Sequence, residues 1–207
     1  MGWFGEDLLD CARAVLEREA AAVRALAGQL DARLAEVVRL LCDCQGHILV
    51  TGAGTSHAVA RRFAHLLSCC GTPALCISSA DALHGGAGAI RDQDLLYVIS
   101  KGGRSAEVNQ LVDIAKARGA LVVAQTEDPT SPLAAKSDAV FLVRTLGEVD
   151  PYGMVATGSS LVNAAAGDLL CVLLLELRGY SKAAFGETHP GGAVGEQLSP
   201  ETPSRPV

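Results

Sequence analysis

Two glycine-rich stretches place hydroxyls where a small anion would be held. Thr51-Gly-Ala-Gly-Thr-Ser56 and Ser100-Lys-Gly-Gly-Arg-Ser105 each follow a short apolar run and precede a helical pattern. Glycine lets backbone N–H groups approach an anion closely, and the helix start that follows adds its dipole. Gly54, Thr55 and Ser56 in the first stretch are candidate phosphate-binding residues, as are Ser100, Lys101, Gly102, Arg104 and Ser105 in the second. Neither stretch fits a Walker loop or a GxGxxG dinucleotide signature, and each alone suits a tight turn. Ser56 and Ser105 also suit helix capping, a role that leaves them able to serve a ligand. Two such loops on successive strands point to one shared site. Lys101 and Arg104 suit either a phosphate or an acidic group on a substrate or a neighbouring subunit.

The elements that would position these loops are legible as alternating runs. Strand-length apolar runs at 47–51, 74–78, 95–100, 121–126 and 139–143 alternate with helical patterns at about 56–70, 105–118 and 131–136. Apolar runs without period-2 alternation suit strands covered on both faces, and β-α-β alternation implies a parallel sheet with right-handed crossovers. The expected fold is a doubly wound α/β sandwich. Its ligands would bind at the carboxyl ends of the strands, where strand order reverses. Ahead of it, apolar residues from Leu8 to Leu41 recur at helical spacing. They predict one long amphipathic helix over about 7–42, or two with a break near Gly28, with a stripe suited to a partner subunit. A strong helix is expected from about Met154 to Gly179, and the tail from Ser199, with three prolines, is expected to be disordered.

Composition narrows the ligand. A chain of 207 residues suits a single domain, here about 1–198, with an α/β core at 46–180 and a closing segment at 187–195. Net charge is −6 and aromatics are 4%, which argues against a nucleic-acid partner because backbone binding needs a basic surface and stacking needs rings. The N-terminus shows neither a signal core nor a myristoylation signal, so a cytoplasmic location is expected. The apolar run Leu169–Leu175 is too short to span a bilayer and is expected to be a buried helix rather than a membrane segment. The seven cysteines lack zinc-site spacing, so no metal is expected and most are read as buried structural thiols.

The ordered set GAGTSHAVARRFAHLLSCCGTPA, DALHGGAGAIRDQDLLYVISKGG, EVDPYGMVATGSSLVNAAAGDLLCVLLLE and THPGGAVG resembles the sugar isomerase (SIS) domain family. It is most similar to the arabinose 5-phosphate isomerase branch, over about residues 10–198 and without the CBS repeats that many members carry. HPGGAVG and DPYGMVATGSS are more specific than either glycine loop. The resemblance implies a five-stranded parallel sheet between helices, in a homodimer or homotetramer with sites at subunit interfaces. It assigns the phosphate pocket to Thr55, Ser56, Ser100 and Ser105. The branch also uses a first-loop lysine, an acid after the third-strand glycine, an acid before its "PLG" segment and the histidine of HPGG. Here the last two are Glu148 and His189, while the first two positions hold Thr55 and Arg104.

That resemblance implies aldose–ketose isomerisation of a phosphorylated sugar, with no cofactor. One group opens the ring, one base carries a proton between C1 and C2, and donors steady a cis-enediolate. Glu148 fits the base if burial raises its pKa, and otherwise is a solvated loop carboxylate. His189 fits the ring-opening acid/base, or else a structural histidine bonded to backbone. His84 is the second histidine expected at the pocket. Asp150 either assists Glu148 or starts the Pro151 turn. A non-catalytic sugar-phosphate-binding regulatory module is the alternative function.

Overall fold

The computed structural model describes residues 6–147, 149–192 and 195. Five parallel strands, β1 (Ile48–Gly52), β2 (Ala74–Cys76), β3 (Leu95–Ile99), β4 (Leu121–Thr126) and β5 (Ala139–Leu142), form one sheet in the order β2-β1-β3-β4-β5. Ile48 pairs with Ala74 on one side and with Leu95 on the other, so β1 lies between β2 and β3. Strand order therefore reverses between β1 and β3. Both glycine-rich loops leave the carboxyl ends of those two strands, at the crevice where doubly wound sheets bind ligands.

Alternate residues of the central strands feed two separate cores, which explains the continuous apolar runs. Ile48, Val50, Leu95, Tyr97 and Ile99 pack beneath α1 (Glu6–Ala25), α2 (Arg33–Asp43), α3 (Thr55–Cys69) and α7 (Thr157–Leu177). Leu49, Leu96, Val98, Val122 and Ala124 pack beneath α4 (Ser79–Ala82), α5 (Ala106–Ala117) and α6 (Pro132–Lys136). The central strands β1, β3 and β4 are thus buried on both faces, while Leu75 of the edge strand β2 is exposed. A short helix, α8 (Lys182–Thr188), follows α7.

The N-terminal periodicity resolves into two helices rather than one spanning 7–42. A 3-10 turn at Ala27–Gln29 ends α1, and Leu30 then takes an extended conformation. Gly28 sits in open space and costs a helix about 1 kcal/mol relative to alanine. The turn lets Ala22 and Leu26 pack on one side while Val37, Leu40 and Leu41 enter the same core from another direction.

α7 is 21 residues, longer than its apolar run, and is long and apolar enough to cross a membrane, a test that the core helix of a globular domain also passes. Here one side, with Val162, Ala166, Leu170 and Leu174, lies in the core, while Leu161, Val172 and Leu177 face outward. The helix is therefore buried on one side only. The thiols also differ from expectation: Cys171 is buried, Cys11 is exposed and the other five are half-buried. Cys69 and Cys70 fall at the end of α3, Cys42 and Cys44 at the end of α2, where side chains reach solvent. The tail from 199 lies outside the described residues.

Candidate active site

The second glycine loop is held by its carbonyls. Lys101 O accepts from Glu127 N and from Thr126 Oγ1, each at 2.9 Å. Asn109 Nδ2 donates to Gly103 O at 3.1 Å and to Ser105 O at 2.9 Å. Gly103 has φ +63°, and a Cβ there would overlap Ser131 Oγ, so the tight turn requires glycine. With the carbonyls occupied, the N–H groups of Lys101, Gly102, Arg104 and Ser105 have no partner among the described residues. Successive free N–H groups in a turn favour an anion.

The first loop faces it across the switch point. An added Cβ on Gly52 would lie 2.8 Å from Ile99 O and from the Ser56 carbonyl carbon, so glycine lets the Gly52–Ser56 loop fold against the end of β3. Thr55 and Ser56 open α3, and together with Lys101, Ser159, Ser160 and Asn163 they line one small cavity. Two helices, α3 and α7, thus direct their N-terminal turns and four hydroxyls into a common space. Helix N-termini and hydroxyl donors make an anion cradle.

A second cavity adjoins the first and shares Lys101 and Ser159 with it. Its wall continues through Thr145, Gly147, Asp150 and Gly153 on the β5–α7 loop. Asp150 Oδ1 accepts from Tyr152 N at 2.9 Å and from Met154 N at 3.3 Å. Burial acts to raise its pKa, but these backbone donors outweigh it and hold the carboxyl below its usual value. Asp150 is a turn anchor, ionised at neutral pH.

A buried polar chain fixes the α7 end of the cradle. Tyr97 Oη donates to Gln125 Oε1 at 2.7 Å, Gln125 Nε2 donates to Asn163 Oδ1 at 2.6 Å, and Asn163 Nδ2 donates to Ser159 O at 2.7 Å. Tyr97 and Gln125 are fully buried. Burial pushes the tyrosine's pKa well up, so it remains a neutral donor.

Residues 41–182 match the SIS domain family. The chain belongs to that family. Arabinose 5-phosphate isomerase KpsF of Escherichia coli is 34% identical over 192 residues, which is 92% of this chain and 59% of KpsF. Arabinose 5-phosphate isomerase KdsD of Pseudomonas aeruginosa is 33% identical over 193 residues, 93% of this chain and 59% of KdsD. The chain spans about 59% of the length of these curated relatives. An Escherichia coli CFT073 structure in complex with arabinose 5-phosphate superimposes with a TM-score of 0.87 at 28% identity, over 90% of this chain and 100% of that one.

Within this SIS domain the expected site residues divide into three groups. Thr55, Ser56 and Lys101 line the cradle. Gly54, Ser100, Gly102 and Ser105 shape its two loops without lining either cavity; Ser100 is buried, and Ser105 precedes α5 without a side-chain cap bond. Arg104 turns away to pair with Asp128 at 2.8 Å, an acidic partner on its own chain.

The histidines stand apart. His84, exposed after α4, lines neither cavity. His189 stacks on Phe185 with ring centres 3.8 Å apart, and its Nδ1 lies 2.9 Å from Phe185 O. A carbonyl only accepts, so Nδ1 carries the proton and Nε2 is the free nitrogen. Nδ1 also lies 3.1 Å from Thr188 Oγ1, which in turn lies 3.3 Å from Tyr180 Oη. The Tyr180 ring rests against Gly71, just beyond the C-terminal end of α3. At about 1.5 Å per residue α3 is roughly 22 Å long and α7 roughly 31 Å. The cradle lies at the N-terminal ends of both helices and His189 at their C-terminal ends, so one chain keeps its own His189 away from its own cradle. Glu148 lies outside the described residues; its neighbours Gly147 and Val149 line the second cavity.

Sequence reasoning missed Ser159, Ser160, Asn163 and Thr145. The signal was present in Thr157-Gly-Ser-Ser160, hydroxyls at a helix start after a glycine-rich turn.

Proposed function

We propose that this chain is a phosphosugar aldose–ketose isomerase of the arabinose 5-phosphate isomerase type. The observation that carries the reading is the cradle itself, hydroxyls at the N-termini of α3 and α7 beside a loop of free N–H groups, opening onto a second cavity. The cradle takes the phosphate, and the second cavity takes the sugar carbons. Glu148, between two lining residues, is the base that removes a proton from C2 of the aldose and returns it at C1 through the cis-enediolate. His189 Nε2 is the ring-opening acid/base, and His84 assists at the same pocket. The relatives named arabinose 5-phosphate isomerase support this reading, as does the related structure in complex with arabinose 5-phosphate. The chemistry needs no cofactor, and a small charged metabolite suits a cytoplasmic enzyme.

A second copy completes the site. His189 lies at the far ends of α3 and α7 from the cradle of its own chain and His84 lines neither cavity, while Leu9 and Leu16 on α1 and Val172 and Leu177 on α7 are exposed apolar residues suited to a subunit contact. The assembly is a homodimer or homotetramer with sites at the interfaces.

The test is equilibration of a panel of pentose and hexose phosphates, with aldose and ketose followed by 13C NMR. Interconversion of at least one, lost in Glu148→Gln by at least about 100-fold, is expected. Tight phosphosugar binding with no interconversion of any member would establish a binding module instead.

A further inference from the structure

Two adjoining cavities share only Lys101 and Ser159 among their lining residues. Among those described residues Lys101 is the sole cation, and it has no ion pair. The acid in the same lining, Asp150, is engaged by backbone N–H groups at Oδ1 and forms no ion pair with Lys101. The backbone of Lys101 is pinned between the ends of β3 and β4 by two hydrogen bonds to its carbonyl, while its side chain is exposed. An exposed ammonium on a backbone held at its carbonyl therefore stands at the seam between the cradle and the second cavity.

Thr145 gives an independent pointer to what occupies the far side of that seam. Its Oγ1 is shut off from solvent and has no hydrogen-bond partner among the described residues, although Thr145 lines the second cavity with Lys101. Buried hydroxyls are nearly always partnered, and an unpaired one in a cavity-wall residue points to a polar partner that joins when the site is filled.

We infer that Lys101 is a catalytic residue that stabilises the enediolate oxygens at the seam, and that Thr145 Oγ1 bonds a hydroxyl of the sugar chain in the second cavity. This rests on the isomerase reading and sharpens it. The phosphate is served by the hydroxyls and N–H groups of the cradle, at the other end of the substrate. The negative charge that develops between C1 and C2 needs its own cation, and Lys101 is the group in reach of both cavities. A preorganised donor at a developing oxyanion acts on the transition state more than on the bound substrate. The second cavity accordingly selects a polyhydroxylated chain rather than an apolar one.

The test compares Lys101→Met and Lys101→Arg with the unchanged chain, all confirmed as folded by thermal melting. Calorimetry uses two probes, inorganic phosphate and a sugar-phosphate hydroxamate that mimics the enediolate. Lys101→Met is expected to lose about 100-fold in hydroxamate affinity, and as much in kcat, with phosphate affinity held within about threefold. Lys101→Arg recovers part of both losses. Thr145→Val weakens the hydroxamate alone, by about tenfold, the effect of one unpaired hydroxyl. Hydroxamate binding unchanged in Lys101→Met, or an equal loss for both probes, overturns the assignment; the latter makes Lys101 a phosphate ligand. The expected probe pattern without turnover of any phosphosugar would support the Lys101 site and count against the isomerase reading alone.

Discussion

Gln125 Nε2 lies 2.6 Å from Asn163 Oδ1, linking the centre of the sheet to a residue that lines the cradle. The glutamine also accepts from Tyr97 Oη, and the asparagine passes the constraint to the Ser159 carbonyl one helical turn earlier. Gln125→Leu leaves Tyr97 Oη and Asn163 Oδ1 unpaired in a dry interior, so unfolding experiments should show a loss of about 1–3 kcal/mol. Activity should fall as well, because Ser159 loses its support. A variant as stable as the parent would contradict this role for the chain of bonds.

Removing hydroxyls from the cradle should weaken phosphate directly. Ser56→Ala and Ser159→Ala are each expected to raise KM by about 10- to 100-fold, the range for a hydrogen bond to a charged group. Arg104→Ala, by contrast, removes a side chain that pairs with Asp128 outside both cavities. Its steady-state kinetics should stay within about threefold of the parent, as expected for an exposed ion pair.

The turn of the second loop depends on a left-handed residue. Gly103→Ala combines φ +63° with a clash against Ser131, and thermal melting should show a loss of about 1–3 kcal/mol. Equal melting temperatures would show that the loop relaxes at no cost.

Acid should release one anchor of that loop. The hydroxyl and then the N–H of Thr130, followed by Arg104, hold the Asp128 carboxyl below its usual value. A carboxylate with a lowered folded pKa contributes stability above its unfolded value, near 3.9, and loses it as pH falls through the lower folded value. The stability difference between the parent and Asp128→Asn should therefore be steady from about pH 5 upward and shrink below about pH 4. A difference independent of pH down to about 3 would contradict the ionised anchor.

Much of this architecture was readable because the parallel sheet is buried on both faces. Leu95–Ile99 is apolar throughout since Leu96 and Val98 serve one core while Leu95, Tyr97 and Ile99 serve the other. The two loops were equally readable, since glycines and hydroxyls sit between a strand and a helix. The break after α1 was harder, because Leu26 and Leu30 continue the apolar pattern straight through it. The two loops could be placed at one site, but side-chain partners across the fold were not legible. Arg104 turns to Asp128, 24 residues on, and His189 lies at the end of two helices whose starts form the cradle. Tyr97 and Gln125 read as ordinary strand residues, and only the pairing of β3 with β4 and the packing of α7 reveals their link to Asn163.

The placement of His189 predicts complementation between copies. Glu148→Gln and His189→Ala should each be inactive alone, and co-expressed mixed assemblies should recover activity, because one chain in the mixture offers an intact base and another an intact histidine. Failure to recover any activity in verified mixed oligomers would place both groups in one chain's site.

The proposed reaction is proton transfer between adjacent carbons of a phosphosugar. The direct measurement is proton NMR in deuterium oxide with arabinose 5-phosphate and related pentose and hexose phosphates. Deuterium is expected at C1 of the ketose formed from at least one aldose, and at C2 of that aldose in the reverse direction, both abolished in Glu148→Gln. No exchange at either carbon for any of these sugars, by a folded protein that binds them, would contradict it.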